Sequence, residues 1–175
     1  AYPVYIGLRD SGAFAALAAG AQEPRMVIED GQAQERNVYF ASRNLFETLG
    51  VPMALGPGFA TTNDRPDAPL AAVVSYRYWR RVLDGDPAVI GRAITIANLQ
   101  ATIVGVSSER FRGLNLATAP DLYLPLERVY APGSRVDSAF SAPVSIFGRL
   151  KPGATPASTL AQLNALPAAV RGEDL

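Results

Sequence analysis

The sequence contains neither cysteine nor histidine. Without Cys there is no thiol nucleophile, no disulfide and no thiolate metal site, and the absence fits either side of a membrane. Without His, Ser-His-Asp and Cys-His catalysis, imidazole metal sites and pH switching between about pH 5 and 8 are excluded within this chain. Long apolar runs are missing too. The longest, 13–21 and 70–74, fall far short of the ~20 residues a membrane-spanning helix needs. No sign of charge dominates: 16 Lys and Arg face 16 Asp and Glu, interspersed, with no like-charge run longer than a pair such as Arg80-Arg81. Nucleic-acid binding normally shows as a basic patch or stripe, so no nucleic-acid partner is expected. Charged residues reach only 18% against the usual ~25%, which reflects either Ala enrichment or a surface covered by a partner. The chain opens on Ala without a basic flank and apolar signal core. It therefore reads as a piece of something longer.

What is present suits a globular domain. A chain of 175 residues buries roughly 70% of its unfolded surface, so no metal or disulfide staple is required. Tyr5, Leu8, Phe14, Leu17 and Ala18 recur at roughly helical spacing over 2–19, weakened by Gly7 and Gly12. Asp30-Gly31 between extended runs at 26–28 and 36–41 predicts a β-hairpin. The segment 44–51 predicts a short helix, with Asn44 and Glu47 as a capping box, Gly50 as a left-handed C-cap and Pro52 blocking continuation. Leu70 to Ser75 reads as a strand. Ser75 caps a helix whose inner face is Tyr76, Trp79 and Leu83, and Asp86-Pro87 starts another turn. A hairpin over 93–97 and 100–106 turning at Asn98-Leu99, strands at 121–126 and 144–150, and a helix from Thr155 to Leu166 complete the reading. Gly/Pro-rich stretches at 56–69 and 130–141 are loops or boundaries. Helices and hairpins mix without strict βα alternation, so the expected class is α+β.

Several blocks resemble, in order, those of MacB-type ABC-transporter permeases of the FtsX-like kind. They are Asn44-Leu45-Phe46-Glu47-Thr48-Leu49-Gly50-Val51, then Val73-Val74-Ser75-Tyr76 with Trp79, and Asp84 through Arg92 ending in Ile90-Gly91-Arg92. Thr102 to Val106, Phe111-Arg112-Gly113-Leu114, Asp121-Leu122-Tyr123-Leu124-Pro125-Leu126 and Gly148 to Gly153 follow. Tyr123 stands where the family more often has Trp, and Phe111-Arg112-Gly113-Leu114 is also similar to orphan permeases. The resemblance implies a domain outside the cytoplasmic membrane, on the periplasmic face, as part of a membrane-anchored permease. It implies two subdomains: a porter-like α/β sandwich from 1–55 and 142–175, and an inserted Sabre-like α+β part over 56–141. It further implies the permease's own transmembrane helices, an ABC ATPase and a periplasmic adaptor as partners, with ATP-driven motion passed to a partner or cargo in efflux, lipoprotein or peptide handling. No Walker-type phosphate loop occurs here.

Candidate sites divide between chemistry and structure. Tyr76, Trp79 and Leu83 form either a ligand groove or the buried face of a helix. Asp64, Asp67, Asp84 and Asp86 lack the spacing of a calcium loop, and Asp84 and Asp86 fit a turn and a helix cap. Glu47 with Glu109 or Asp121 would be the carboxylate pair of a glycosidase. Arg112 and Arg149 either brace one subdomain on the other or make surface ion pairs. The expected catalytic, cofactor-binding and metal residues are none. The first expectation is a non-catalytic, isolated-monomer permease domain. The alternatives are a peptide or small-molecule binding module with its cleft between the subdomains, and a carboxylate hydrolase.

Overall fold

Gly12, at φ +68°, ends the first helix and decides the course of the N-terminal segment. The computed structural model describes residues 2–61, 69–97, 99–115, 117–130 and 143–168. Helix α1 runs only over Tyr2–Asp10, and Ala16–Glu29 is a strand, β1, rather than the second half of a helix. The reason is tertiary. Leu17, Ala18, Ala19 and Ala21 are all buried, because a strand pairs with 16–20 on one edge of β1 and the hairpin partner joins the other edge from Gly20 onward. Its hairpin partner β2 is Gln32–Ala41, in register from Glu29↔Gln32 to Gly20↔Ala41. The turn falls at Asp30 (φ +49°) and Gly31 (φ +78°), both left-handed as the sequence requires.

The remaining strands are β3 (Met53–Leu55), β4 (Leu70–Val74), β5 (Ala93–Ile96), β6 (Leu99–Ser107), β7 (Leu122–Pro125) and β8 (Ser145–Arg149). Hydrogen-bonded pairing runs β1–β2–β7–β4–β6–β5 and returns from β5 to β1 through Val27↔Ile96 and Ile28↔Thr95, so six strands close a ring. Strand β3 hangs on β6, and β8 lies on β1 over Ala16–Gly20. Alternation along the strands sorts the core into two clusters. Leu17, Val27, Phe40, Leu70, Ile103 and Leu122 face one side, joined by Tyr5 of α1. Tyr39, Val73 and Tyr123 face the other, joined by Phe46 and Phe59. The α+β class holds. Strands of 1–55 and of 56–141 share the ring, and both clusters draw on both segments.

Local signals fare unevenly. Helix α2 is Leu45–Leu49, ended by Gly50 at φ +68° as expected. Its capping box is not formed: Asn44 makes no side-chain cap bond. The Asn44 amide instead donates to Leu17 O at 2.8 Å and its carbonyl accepts from Ser42 Oγ at 2.9 Å. Asn44 thus ties α2 to β1, and the buried carbonyl of Leu17 gains the donor. Ser75 caps α3 (Tyr76–Val82) by accepting from the Tyr78 amide, and Asp86 accepts from the Ala88 amide. The buried residues of this helix region are Tyr78 and Leu83, while Tyr76 and Trp79 are only half-buried. The second hairpin closes on the pair Ile96↔Leu99, so Leu99 belongs to the strand rather than to the turn as expected, and Ala97 takes φ +46°. Strand β3 and the short helix α4 (Glu127–Tyr130) are not evident in the sequence pattern. The last helix, α5 (Pro156–Asn164), carries a full capping box between Thr155 and Ser158.

Candidate functional site

The outer edge of β1 is only partly paired. Ala19 bonds both its amide (to Ser42 Oγ) and its carbonyl (from Ser42 N–H) on the β2 side. Odd-numbered residues of β1 therefore turn their backbone toward β2, and even-numbered ones turn it the other way. On that second edge β8 pairs as far as Gly20, and β5 resumes with the Ala97 amide donating to Met26 O at 2.8 Å. Between them no strand is paired with Gln22 or Pro24 on this edge among the described residues, and the Pro24 carbonyl accepts from Arg25 Nη1 at 3.1 Å. Proline, which has no N–H to offer, suits such an edge.

This open stretch forms one wall of a groove of about 480 Å³. Asn37 and Tyr39 of β2, Leu114 and Asn115 of the loop after β6, and Phe147 of β8 complete the walls. The groove thus takes residues from 1–55, 56–141 and 142–175. Its loop is held to β1 by Gln22, whose Nε2 donates to Thr118 O at 2.6 Å. The Tyr39 ring fits because residue 20 is Gly, since a Cβ there would fall against the ring. Tyr39 is 6% exposed. Burial pushes its phenol up to about 12, so the hydroxyl is neutral at any physiological pH. It makes no hydrogen bond among the described residues. The one carboxylate of the lining, Glu23, is paired with Arg25 at 2.5 Å. The groove is polar without unpaired charge.

Two ion clusters lock the hairpin to the segment that follows it. Arg36 binds both oxygens of Glu29, at 2.7 and 2.5 Å, and the Tyr78 hydroxyl donates to Glu29 Oε1 at 2.7 Å. The Arg36 guanidinium, aided by Tyr78, holds the Glu29 carboxyl below its ordinary range against the opposing effect of burial. Burial, with Glu29 beside it, pushes the Tyr78 phenol far up. Arg77 pairs with Asp121 at 2.9 Å, and the other Asp121 oxygen accepts from the Asn37 amide at 3.2 Å. Both clusters join β1–β2 to α3 or β7.

The family described as the MacB-like periplasmic core domain matches residues 8–166. The chain belongs to that family. Its members are domains of ABC-transporter-type permeases. Three solved structures share the fold. The periplasmic region of MacB from Actinobacillus actinomycetemcomitans aligns at TM-score 0.74 and 13% identity, over 98% of this chain and 74% of that one. The extracellular domain of the noncanonic ABC-type transporter YknZ from Gram-positive bacteria gives 0.63 and 12%, over 91% and 75%. A domain of a permease protein from Porphyromonas gingivalis gives 0.64 and 17%, over 97% and 73%. No curated protein matches the chain. Among the described residues no helix is long and apolar enough to cross a membrane.

In this MacB-like domain the Tyr that replaces Trp, Tyr123, is 1% exposed and packs edge-on against Phe46 at 5.1 Å between ring centroids. Its hydroxyl is buried without a hydrogen-bond partner among the described residues. Trp79 is half-buried, its indole N–H donating to Asp86 O at 2.8 Å and Arg80 lying over its ring. It lines neither the groove nor the deep core. Asp84 sits at φ +53° in a turn and Asp86 is a cap. Asp64 and Asp67 lie outside the described residues. No cluster of three metal-ligating side chains occurs among the described residues.

The carboxylates imagined as a pair are spread over separate places. Asp121 is engaged by Arg77 and Asn37, and Glu109 lies exposed beyond the end of β6. Glu47 lines a different hollow, of about 420 Å³, with Arg9, Asn44 and Arg149. Arg149 donates to Thr48 O at 2.7 Å and so ties β8 to the end of α2. Both ends of that tie lie within 1–55 and 142–175, so Arg149 does not brace the inserted segment. Arg112 is exposed and makes no ion pair among the described residues. Gln22, Asn37 and Tyr39 were not among the sequence candidates. The one signal available was Pro24 within a long strand, which marks an unpaired edge.

Proposed function

We propose that this domain is a mechanical element of an ABC-type permease. It stands on the extracytoplasmic side, catalyses nothing itself, and passes ATP-driven motion of the transmembrane helices to a periplasmic adaptor or cargo. The observation that carries this reading is the closed six-strand ring. The segments 1–55 with 142–175 and 56–141 act as two parts that cannot slide past each other, because β2–β7 and β1–β5 hydrogen bonds cross between them. The Glu29–Arg36–Tyr78 cluster adds a strut at the hairpin tip. A push at one end is then delivered at the other with little lost in shear. Taken alone, the chain is monomeric, which sedimentation velocity tests.

The direct experiment uses the full permease with its ATPase in a bilayer. Spin labels at Glu47→Cys and Arg81→Cys, both exposed positions on α2 and α3, report the distance across the domain. That distance stays fixed between nucleotide-free and ATP-bound states while labels on the membrane part move. A nucleotide-dependent change within the domain would overturn the rigid-element reading.

A second reading, that the domain holds a peptide or small molecule, is favoured by the groove at the junction of the segments and by the Tyr39 hydroxyl, which has no hydrogen-bond partner among the described residues. A ligand that moves the Tyr39 ring resonances of the 175-residue chain supports it.

A further inference from the structure

We propose that the outer face of α3 docks an acidic segment of a partner protein. This rests on the mechanical reading above, which requires a partner, and goes further by naming its chemistry and where it lands. Arg77, Arg80 and Arg81 stand at i, i+3 and i+4 of Tyr76–Val82, so their side chains share one face of the helix. All three are exposed, and the helix carries no acidic residue. The chain as a whole balances 16 cations against 16 anions, so this concentration of one sign is local. A helix dipole favours cations in the last turn, but like charges at i, i+3 and i+4 repel one another. Of the three, Arg77 has a carboxylate partner in Asp121, whereas Arg80 and Arg81 have none among the described residues.

The neighbouring side chains suit a protein rather than a small ion. Tyr76 and Trp79 are half-buried and meet edge-on at 5.2 Å between ring centroids, and Arg80 lies over the Trp79 ring at 5.8 Å. Gly85 leaves Arg80 the room, since a Cβ there would fall against its Nη1. The Trp79 N–H donates to Asp86 O, so the indole is held in place before any partner arrives. Trp, Tyr and Arg are the residue types that carry most of the binding energy at protein interfaces. An acidic segment supplies the counter-charges that Arg80 and Arg81 lack, and opposite fields speed its encounter with the helix. The positive stretch is short. Exposed Asp84 and Asp86 follow the helix directly, so a uniformly negative lipid surface meets both signs, whereas a short acidic stretch of a protein lies along the arginines alone.

The chain has a single Trp, so its fluorescence reports on this face without a label. The test titrates the 175-residue chain with capped dodecapeptides rich in Glu with Leu interspersed, with the same peptides carrying Gln for Glu, and with phosphatidylglycerol vesicles. Trp79 emission gives the place of binding and calorimetry the affinity. The Glu peptides are expected to shift the emission and to bind more weakly as salt rises from about 50 to 500 mM, and the Gln peptides are expected not to bind. Arg80→Gln combined with Arg81→Gln, both at exposed positions, is expected to weaken the Glu peptides about fivefold. Lys151→Gln, which removes an exposed cation on the turn after β8, is expected to leave their affinity unchanged. Binding that does not move Trp79 emission, or that Lys151→Gln weakens as much as the Arg pair does, overturns the proposal. So does equal binding of Gln and Glu peptides, or silence of Trp79 toward every probe. A response to the vesicles, with or without peptide binding, overturns it in favour of a negatively charged surface in general. None of these outcomes bears on the rigidity of the domain, which the spin-label distances decide.

Discussion

Glu29 shows how much a single side chain contributes when its partners come from distant parts of the chain. It lies at the end of β1, yet its oxygens are held by Arg36 across the hairpin and by Tyr78 from α3. Removing Arg36 leaves a carboxylate only 11% exposed at its side chain without its cation, so Arg36→Ala is expected to cost about 1–3 kcal/mol near neutral pH. The pH dependence has a definite sign. The folded Glu29 pKa is depressed, so the stabilisation is fully present above the unfolded value, about 4.3. It is lost as pH falls through the lower folded value. Urea titrations should therefore show the gap between wild type and Arg36→Ala closing below about pH 4. A gap independent of pH would mean that Arg36 acts through packing on Tyr78 instead. Tyr123 is the contrasting residue: its hydroxyl is buried with no partner among the described residues, and the ring serves the aromatic cluster around Phe46.

Elements in this protein are defined as much by their neighbours as by their own residues. The stretch 2–19 has the spacing of a helix, yet its last residues become a strand, because β8 pairs with 16–20 and β2 joins the opposite edge from Gly20 onward. The hairpins were better marked. Asp30-Gly31 adopts the left-handed pair its residue types favour. The β5–β6 hairpin has no Gly at 97, and Ala97 takes φ +46° while its amide is drawn to Met26 O. A non-Gly residue there costs roughly 1 kcal/mol relative to Gly. Ala97→Gly is accordingly expected to raise stability by up to ~1 kcal/mol, measured as a higher denaturant midpoint at unchanged slope. A lower midpoint would show that the gain in the unfolded chain's freedom outweighs the relieved strain.

For the whole molecule the closed ring governs. The resemblance implies an inserted segment over 56–141, and the strands of 56–141 complete a ring begun by β1 and β2. Neither part has a core of its own among the described residues, since each cluster takes side chains from both. Calorimetry of the chain is therefore expected to show one cooperative transition with equal calorimetric and van't Hoff enthalpies. Two resolved transitions would mean that the segments unfold separately and that the shared sheet contributes little.

The amino-acid sequence by itself determined the class, the family and the local punctuation. Its lack of His and Cys removed whole chemistries, and its ordered blocks carried the resemblance across nearly the full length. Gly50, Ser75, Asp86 and Thr155 act where their side chains or φ preferences act, within a few residues, and such short-range effects can be read directly. Tertiary structure alone decided the rest. It drew Asn44 away from its cap to Leu17, put Tyr78 rather than Trp79 in the core, and closed β5 onto β1. It also set Gln22 and Tyr39 in the wall of one groove. These outcomes depend on which strand lies beside which, a matter of packing between residues tens of positions apart, and no spacing within a single segment encodes it.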